Sequence, residues 1–150
     1  MKKKTMCFVI VLTLVGLNCL SAQMTKTQLQ EMYVSFLKGE GYNPSVDKDG
    51  DVNFTAQGQK FYIDVMADDL QSFRIVLSEF LPMGSNRLKA LEAAASEIAT
   101  TKAISFNLAS NNRLAINSFI FIARPEDFKT HVKRMVDNML IAKRDFLAKL

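Results

Sequence analysis

Histidine occurs once, at His131, and that bounds the chemistry open to this chain. A histidine-rich metal site is excluded, and a serine triad would have to use this one imidazole as its base. Carboxylates are better supplied: Asp64, Asp68, Asp69 and Glu79 fall in one stretch, and two carboxylates held in unlike surroundings can divide acid and base work. Asp68 and Asp69, however, are neighbours in a polar turn, where both are solvated. A hydrolase using His131 and Asp64 is the catalytic reading these residues allow. The simpler one has His131 as a solvated or half-buried helix residue beside an apolar stripe, and the chain as noncatalytic.

A further acidic run, Asp47, Asp49 and Asp51, places carboxylates at alternate positions, as a calcium loop does. That loop needs glycine at its sixth position and a bidentate glutamate at its twelfth, where this chain has Val52 and Gly58. Asp49-Gly50 reads instead as a two-residue hairpin turn, since the dipeptide accepts positive φ. No Gly-rich phosphate loop runs from a strand into a helix, so no nucleotide, metal or other cofactor is expected.

The cysteines lie at Cys7 and Cys19, inside a segment with its own logic. Lys2, Lys3 and Lys4 open it, an apolar run from Met6 to Leu17 follows, and Ser21-Ala22 ends it. A positive start, an apolar run too short to span a bilayer and a small-residue exit predict a secretory signal peptide over residues 1–22, cleaved after Ala22. Residues 23–150 are then one exported domain, soluble and most simply periplasmic, with no stable membrane insertion. Lipid anchoring at Cys19 is the lesser alternative, because Asn18 stands where a small residue is expected. Cleavage removes both thiols and three of the 19 basic residues. That leaves 16 basic residues against 15 acidic ones, and no concentrated positive surface for nucleic acid.

The elements that must position these side chains follow from periodicity. Leu29, Met32, Tyr33, Phe36 and Leu37 predict a helix from Met24 to Gly39, capped by Thr25 or Thr27 and stopped by Gly39 or Gly41. Val52 to Thr55 is a short strand, and Gln57-Gly58 turns it. Gln59 to Leu81 reads as two long strands joined by Ala67-Asp68-Asp69, with Phe61, Ile63, Val65, Phe73, Ile75 and Leu77 on one face. On the other face stand Tyr62, Asp64, Met66, Arg74 and Val76. A second helix, capped by Ser85 or Asn86, runs to about Thr100 and is expected to bury Leu88, Leu91, Ala95 and Ile98. Its run Ala93-Ala94-Ala95 reflects helix propensity or a surface for close approach.

Ile104, Phe106 and Leu108 alternate along a fifth strand. Asn111-Asn112 turns the chain, and Leu114, Ile116, Ile120 and Ile122 line the return strand. Ser118 interrupts that apolar series, and Phe119 and Phe121 fall on the wetter face. The strand end is therefore covered on both sides, bulged, or exposed for binding. Arg124-Pro125-Glu126-Asp127 opens a last amphipathic helix carrying Phe128, Val132, Met135, Val136, Met139 and Phe146. It is read as core cover rather than as a membrane-surface helix.

The order is helix, meander, helix, hairpin, helix: an α+β domain with an antiparallel sheet of five to six strands. This succession, with Asp-Lys-Asp-Gly-Asp-Val-Asn-Phe in the first turn and strand, Phe61-Tyr62-Ile63-Asp64-Val65 in the next and the closing Arg-Pro-Glu-Asp-Phe, resembles the YbjN-type family assigned to bacterial sensory-transduction regulation. It is similar in plan to the type III secretion chaperones. The resemblance implies a compact, often dimeric, noncatalytic domain that binds protein segments. The function expected is an exported chaperone-like module for a protein or peptide partner, with a candidate interaction surface of Tyr62, Met66, Arg74 and Val76, joined by Phe119 and Phe121. A carrier of a small apolar ligand, suggested by eight Met and eleven Phe, is the alternative.

Overall fold

A computed structural model describes residues 24–100 and 103–150; the expected export signal, with Cys7 and Cys19, lies outside them. In chain order the elements are α1 (Lys26–Gly39), β1 (Ser45–Val46), β2 (Val52–Ala56), β3 (Gln59–Ile63), β4 (Ser72–Phe80), α2 (Arg87–Thr100), β5 (Ile104–Leu108), β6 (Arg113–Phe121), a 3-10 helix (Pro125–Thr130) and α3 (Val132–Leu147). Six antiparallel strands form one sheet in the order β1-β2-β3-β4-β6-β5. The expected α+β plan is the observed one.

Local chemistry accounts for most element ends. Thr25 caps α1 through a reciprocal pair, its hydroxyl accepting from the Gln28 amide at 3.2 Å while Gln28 Oε1 accepts from the Thr25 amide at 2.8 Å. At the far end Gly41 takes φ +84°, and the amides of Gly41 and Tyr42 donate back to the carbonyls of Lys38 and Leu37. That left-handed stop needs a residue without Cβ. Gln57 and Gly58 both have positive φ, the twist that a two-residue link between β2 and β3 requires.

Three boundaries differ from those the sequence suggests. The β1–β2 connection spans Asp47 to Asp51 rather than two residues, because Asp47 Oδ1 accepts from the amides of Asp49, Gly50 and Asp51 at 2.9 to 3.0 Å. One carboxylate thus gathers a longer loop around itself. Strand β3 ends at Ile63, not Met66. The Asp64 amide still reaches the Arg74 carbonyl, but the Val65 amide turns away to Asp51 Oδ1 at 3.1 Å. The last helix is divided as well: Pro125 opens a 3-10 helix, and α3 begins only at Val132.

The helices cover one face of the sheet. Phe61, Ile63, Val65, Phe73, Ile75 and Leu77 are buried there, as their alternation predicts. Tyr33 of α1, Phe73 of β4 and Phe128 of the 3-10 helix meet with ring centroids 4.7 to 5.7 Å apart. Each such pair is worth about 0.5–1.5 kcal/mol beyond the area it buries. Aromatic packing thus fills this part of the sheet–helix interface. Lys143 pins α3 to the sheet through Glu79 of β4 and Gln59 of β3.

Helix α2 is turned opposite to expectation. Asn86 caps it, its Oδ1 accepting from the Leu88 amide at 2.8 Å. The buried face, however, is Ala90, Ala93, Ala94 and Glu97, while Leu88, Leu91, Ala95 and Ile98 are exposed, Leu88 to 65%. Small side chains let α2 settle closely against β5 and α3. Two anchors hold that rotation. Arg87 donates to the carbonyls of Leu108 and Ala109 at 3.1 and 2.8 Å, and Lys149 pairs with the buried carboxylate of Glu97. A buried charge left without its partner costs several kcal/mol, so the side bearing Glu97 stays with α3.

Candidate functional site: the open face of the sheet

Residues on the second face of the sheet can be read row by row from the strand pairing. Asn53, Tyr62, Val76, Asn117 and Ser105 lie opposite one another across β2, β3, β4, β6 and β5. In the adjacent row Arg74 opposes Phe119, and beyond it Ser72 opposes Phe121. Strand β6 pairs with β4 without interruption from Arg113 to Phe121, so there is no bulge at Ser118. Ser118 keeps its place on the inner face, 2% exposed among apolar neighbours. Of the three ends that the sequence leaves open, exposure is the one found: Phe119 is 38% exposed and Phe121 80%.

Phe119 and Phe121 meet edge to face, with centroids 5.1 Å apart. Successive side chains on one face of a strand stand close enough for such contact, so the pair forms one aromatic ledge. Beside it Arg74 pairs with Asp64. Burial pushes the Asp64 carboxyl above its usual range, outweighing the Arg74 guanidinium that pulls it down. Between β5 and β6 a groove of about 260 Å³ is lined by Ala103, Ile104, Ser105, Asn117 and Phe119. Asn117 Nδ2 is a buried donor without a hydrogen-bond partner among the described residues, and Asn53 Oδ1, in the same row, is a buried acceptor in the same condition. An unmet buried polar group costs about 1–3 kcal/mol.

Of the residues expected to share this face, Tyr62, Arg74, Val76, Phe119 and Phe121 do so. Met66 does not lie on a strand; it sits half-buried in the connection between Ile63 and Ser72, which the Val65–Asp51 bond has drawn off the sheet. His131 and Asp64 are not brought together. Asp64 pairs with Arg74 at the open face, whereas His131 lines a cavity with Ser118 and Ile120 on the helical side. The sequence reading gives no role to Asn117 and turns the leucines of α2 inward. A polar residue amid an alternating strand could have marked the first. The second had a visible rival, because Ala90, Ala93, Ala94 and Glu97 also follow helical spacing.

No protein-family model matches the chain, and no curated protein sequence matches it. Solved structures do share its architecture. An uncharacterized protein from Methanothermobacter thermautotrophicus is 16% identical over 79% of this chain and 94% of its own, with a TM-score of 0.59. YbjN from E. coli is 11% identical over 79% of this chain and 88% of its own, also at 0.59. A chain of the HopA1–SchA chaperone–effector complex is 11% identical over 79% and 95%, at 0.57. At such identities the likeness is one of fold.

Proposed function

We propose that this chain, with a fold shared by YbjN and by a chain of a chaperone–effector complex, is an exported noncatalytic binding domain. It holds an extended segment of a protein partner on the open face of its sheet and works as a homodimer joined through α2. One observation carries the reading. Of the nine large apolar residues left exposed among the described residues, five fall at two places: Phe119 and Phe121 on the open face, and Leu88, Leu91 and Ile98 on α2. Contiguous apolar surface at that density marks interaction sites.

The two places suit different occupants. On the sheet, the aromatic ledge and the groove beside it offer an extended chain apolar contact. On α2 the spacing of Leu88, Leu91, Ala95 and Ile98 is three, four and three residues, a coiled-coil seam. Two antiparallel copies would set Leu88 against Ile98 and Leu91 against Ala95, an arrangement that a two-fold axis repeats on both sides.

Affinity capture from the native envelope fraction tests the binding reading. Wild-type protein is expected to retain a polypeptide that the double variant Phe119→Ser, Phe121→Ser loses; equal retention by both removes the sheet face from consideration. Light scattering tests the dimer, with Leu91→Ser expected to give a monomer. A wild type that is already monomeric at micromolar concentration overturns it. Intact mass of the protein from the periplasmic fraction tests export: a chain beginning at Gln23 is expected, and an acylated Cys19 would replace the soluble form with an anchored one.

A further inference from the structure

On the helical side, away from the surface just described, His131 and α3 close over the end of β6 to leave a cavity of about 140 Å³. His131, just before α3, and Arg134 and Asn138 of α3 line it from one side, and Ser118 lines it from the sheet. Met135, Ile120 and Ala103 supply its apolar walls. Among the described residues no carboxylate lines the cavity, and Arg134 forms no ion pair there. His131 ends the 3-10 helix and precedes α3, yet its side chain caps neither. Its imidazole is therefore not committed to holding the helix end.

We propose that this cavity binds a short-chain carboxylate, with Arg134 as the fixed charge and His131, Asn138 and Ser118 as hydrogen-bond donors. The guanidinium is a planar fork that matches a carboxylate with two parallel bonds and stays charged at any physiological pH. Imidazole, amide and hydroxyl can each donate to the remaining lone pairs. The volume is the liquid share of about four or five waters, room for a carboxyl group and a few carbons and for little more. Met135 and Ile120 are the walls against which such a tail would lie. A phosphate dianion fits less well, because among the described residues the cavity offers one permanent cation and presents apolar surface where phosphate would need further donors.

The site shares only Ala103 with the groove on the sheet face and no residue with α2, so its failure leaves the proposed function standing. The test is titration of the purified protein with butyrate and, separately, with inorganic phosphate, followed by the NMR shifts of the Met135 and Ile120 methyl groups. Butyrate is expected to move both methyls saturably and more tightly than phosphate does. Arg134→Gln, at an exposed position that should fold normally, is expected to weaken butyrate by about tenfold or more. Asn138→Ala should weaken it less. Lys133→Gln removes a neighbouring charge that pairs with Asp137 and does not line the cavity, and it should leave the affinity unchanged. Absence of a saturable butyrate shift overturns the proposal. So does equal affinity in Arg134→Gln, or phosphate binding as tightly as butyrate.

Discussion

Asp47 shows how much one side chain decides at the scale of the residue. Partial desolvation pushes its carboxyl up, but hydrogen bonds from the Asp51 amide, the Asn53 side chain and the amides of Asp49 and Gly50 together hold it below the usual carboxylate range. A carboxyl depressed in the folded state contributes stability that is fully present above its unfolded value and is lost as pH falls through the folded one. Unfolding measured across acidic pH should therefore show wild type more stable than Asp47→Asn near neutrality, with the gap closing in acid. Asp64, raised rather than lowered, acts in the opposite sense: its ionisation weakens the fold as pH rises through its folded value. Gly50, in the same loop, has φ +90°, and a Cβ there would come within 2.5 Å of Lys26 Nζ. That lysine end can move, so the backbone angle sets the cost, and Gly50→Ala should destabilise by about 1–3 kcal/mol in urea unfolding. Removing the clash with Lys26→Ala should not restore the loss. The long strands offer a contrast: Ile75→Ala should cost about 2–5 kcal/mol, whereas Phe121→Ser, at an exposed position, should stay within about 0.5 kcal/mol.

Element by element, the sequence predicts best where one pattern has no rival. In β4 Phe73, Ile75 and Leu77 take alternate positions, and all three are buried as that pattern predicts. Helix α1 carries one stripe, and Thr25 and Gly41 close its ends, each one of the two choices its sequence offers. Helix α2 carries two stripes at the same spacing. Hydrophobicity favours burying the leucines, but the gap between β5 and α3 admits only the alanines, and Glu97 must meet Lys149. Filling that gap should be costly: Ala93→Leu is expected to destabilise by about 1–3 kcal/mol, measured by thermal or urea unfolding. Leu91→Ser, on the outer side, should leave the unfolding of the monomer nearly unchanged while altering its size in solution. The β3–β4 connection failed to announce itself for a related reason. Val65 and Met66 continue the alternation of β3, and only the long-range bond from Val65 to Asp51 takes them off the sheet.

For the whole molecule, the open sheet face and the outer face of α2 are separate surfaces on different layers. Variants on them should therefore act independently. Phe121→Ser combined with Leu91→Ser is expected to lose partner capture and self-association each to the extent of its single variant, read by affinity capture and light scattering on the same samples. A combined effect beyond that would mean that the two surfaces form one continuous interface. Sequence spacing fixes which residues share a strand face, yet it is silent on whether anything lies above that face. The helices covering one side and leaving Tyr62, Arg74, Phe119 and Phe121 on the other is a property of how the layers stack.

The alternation of β3 and β4, the candidate caps of α1 and α2, the Gln57-Gly58 turn and the order of elements were all legible in the sequence, because each depends on residues within a few positions of one another. The rotation of α2, the departure of Met66 from the sheet, the pairing of Asn53 and Asn117 in one row and the meeting of His131, Arg134 and Ser118 around one cavity were decided only by the tertiary structure. Each depends on space and partners supplied by segments distant in the chain, and periodicity carries no record of them.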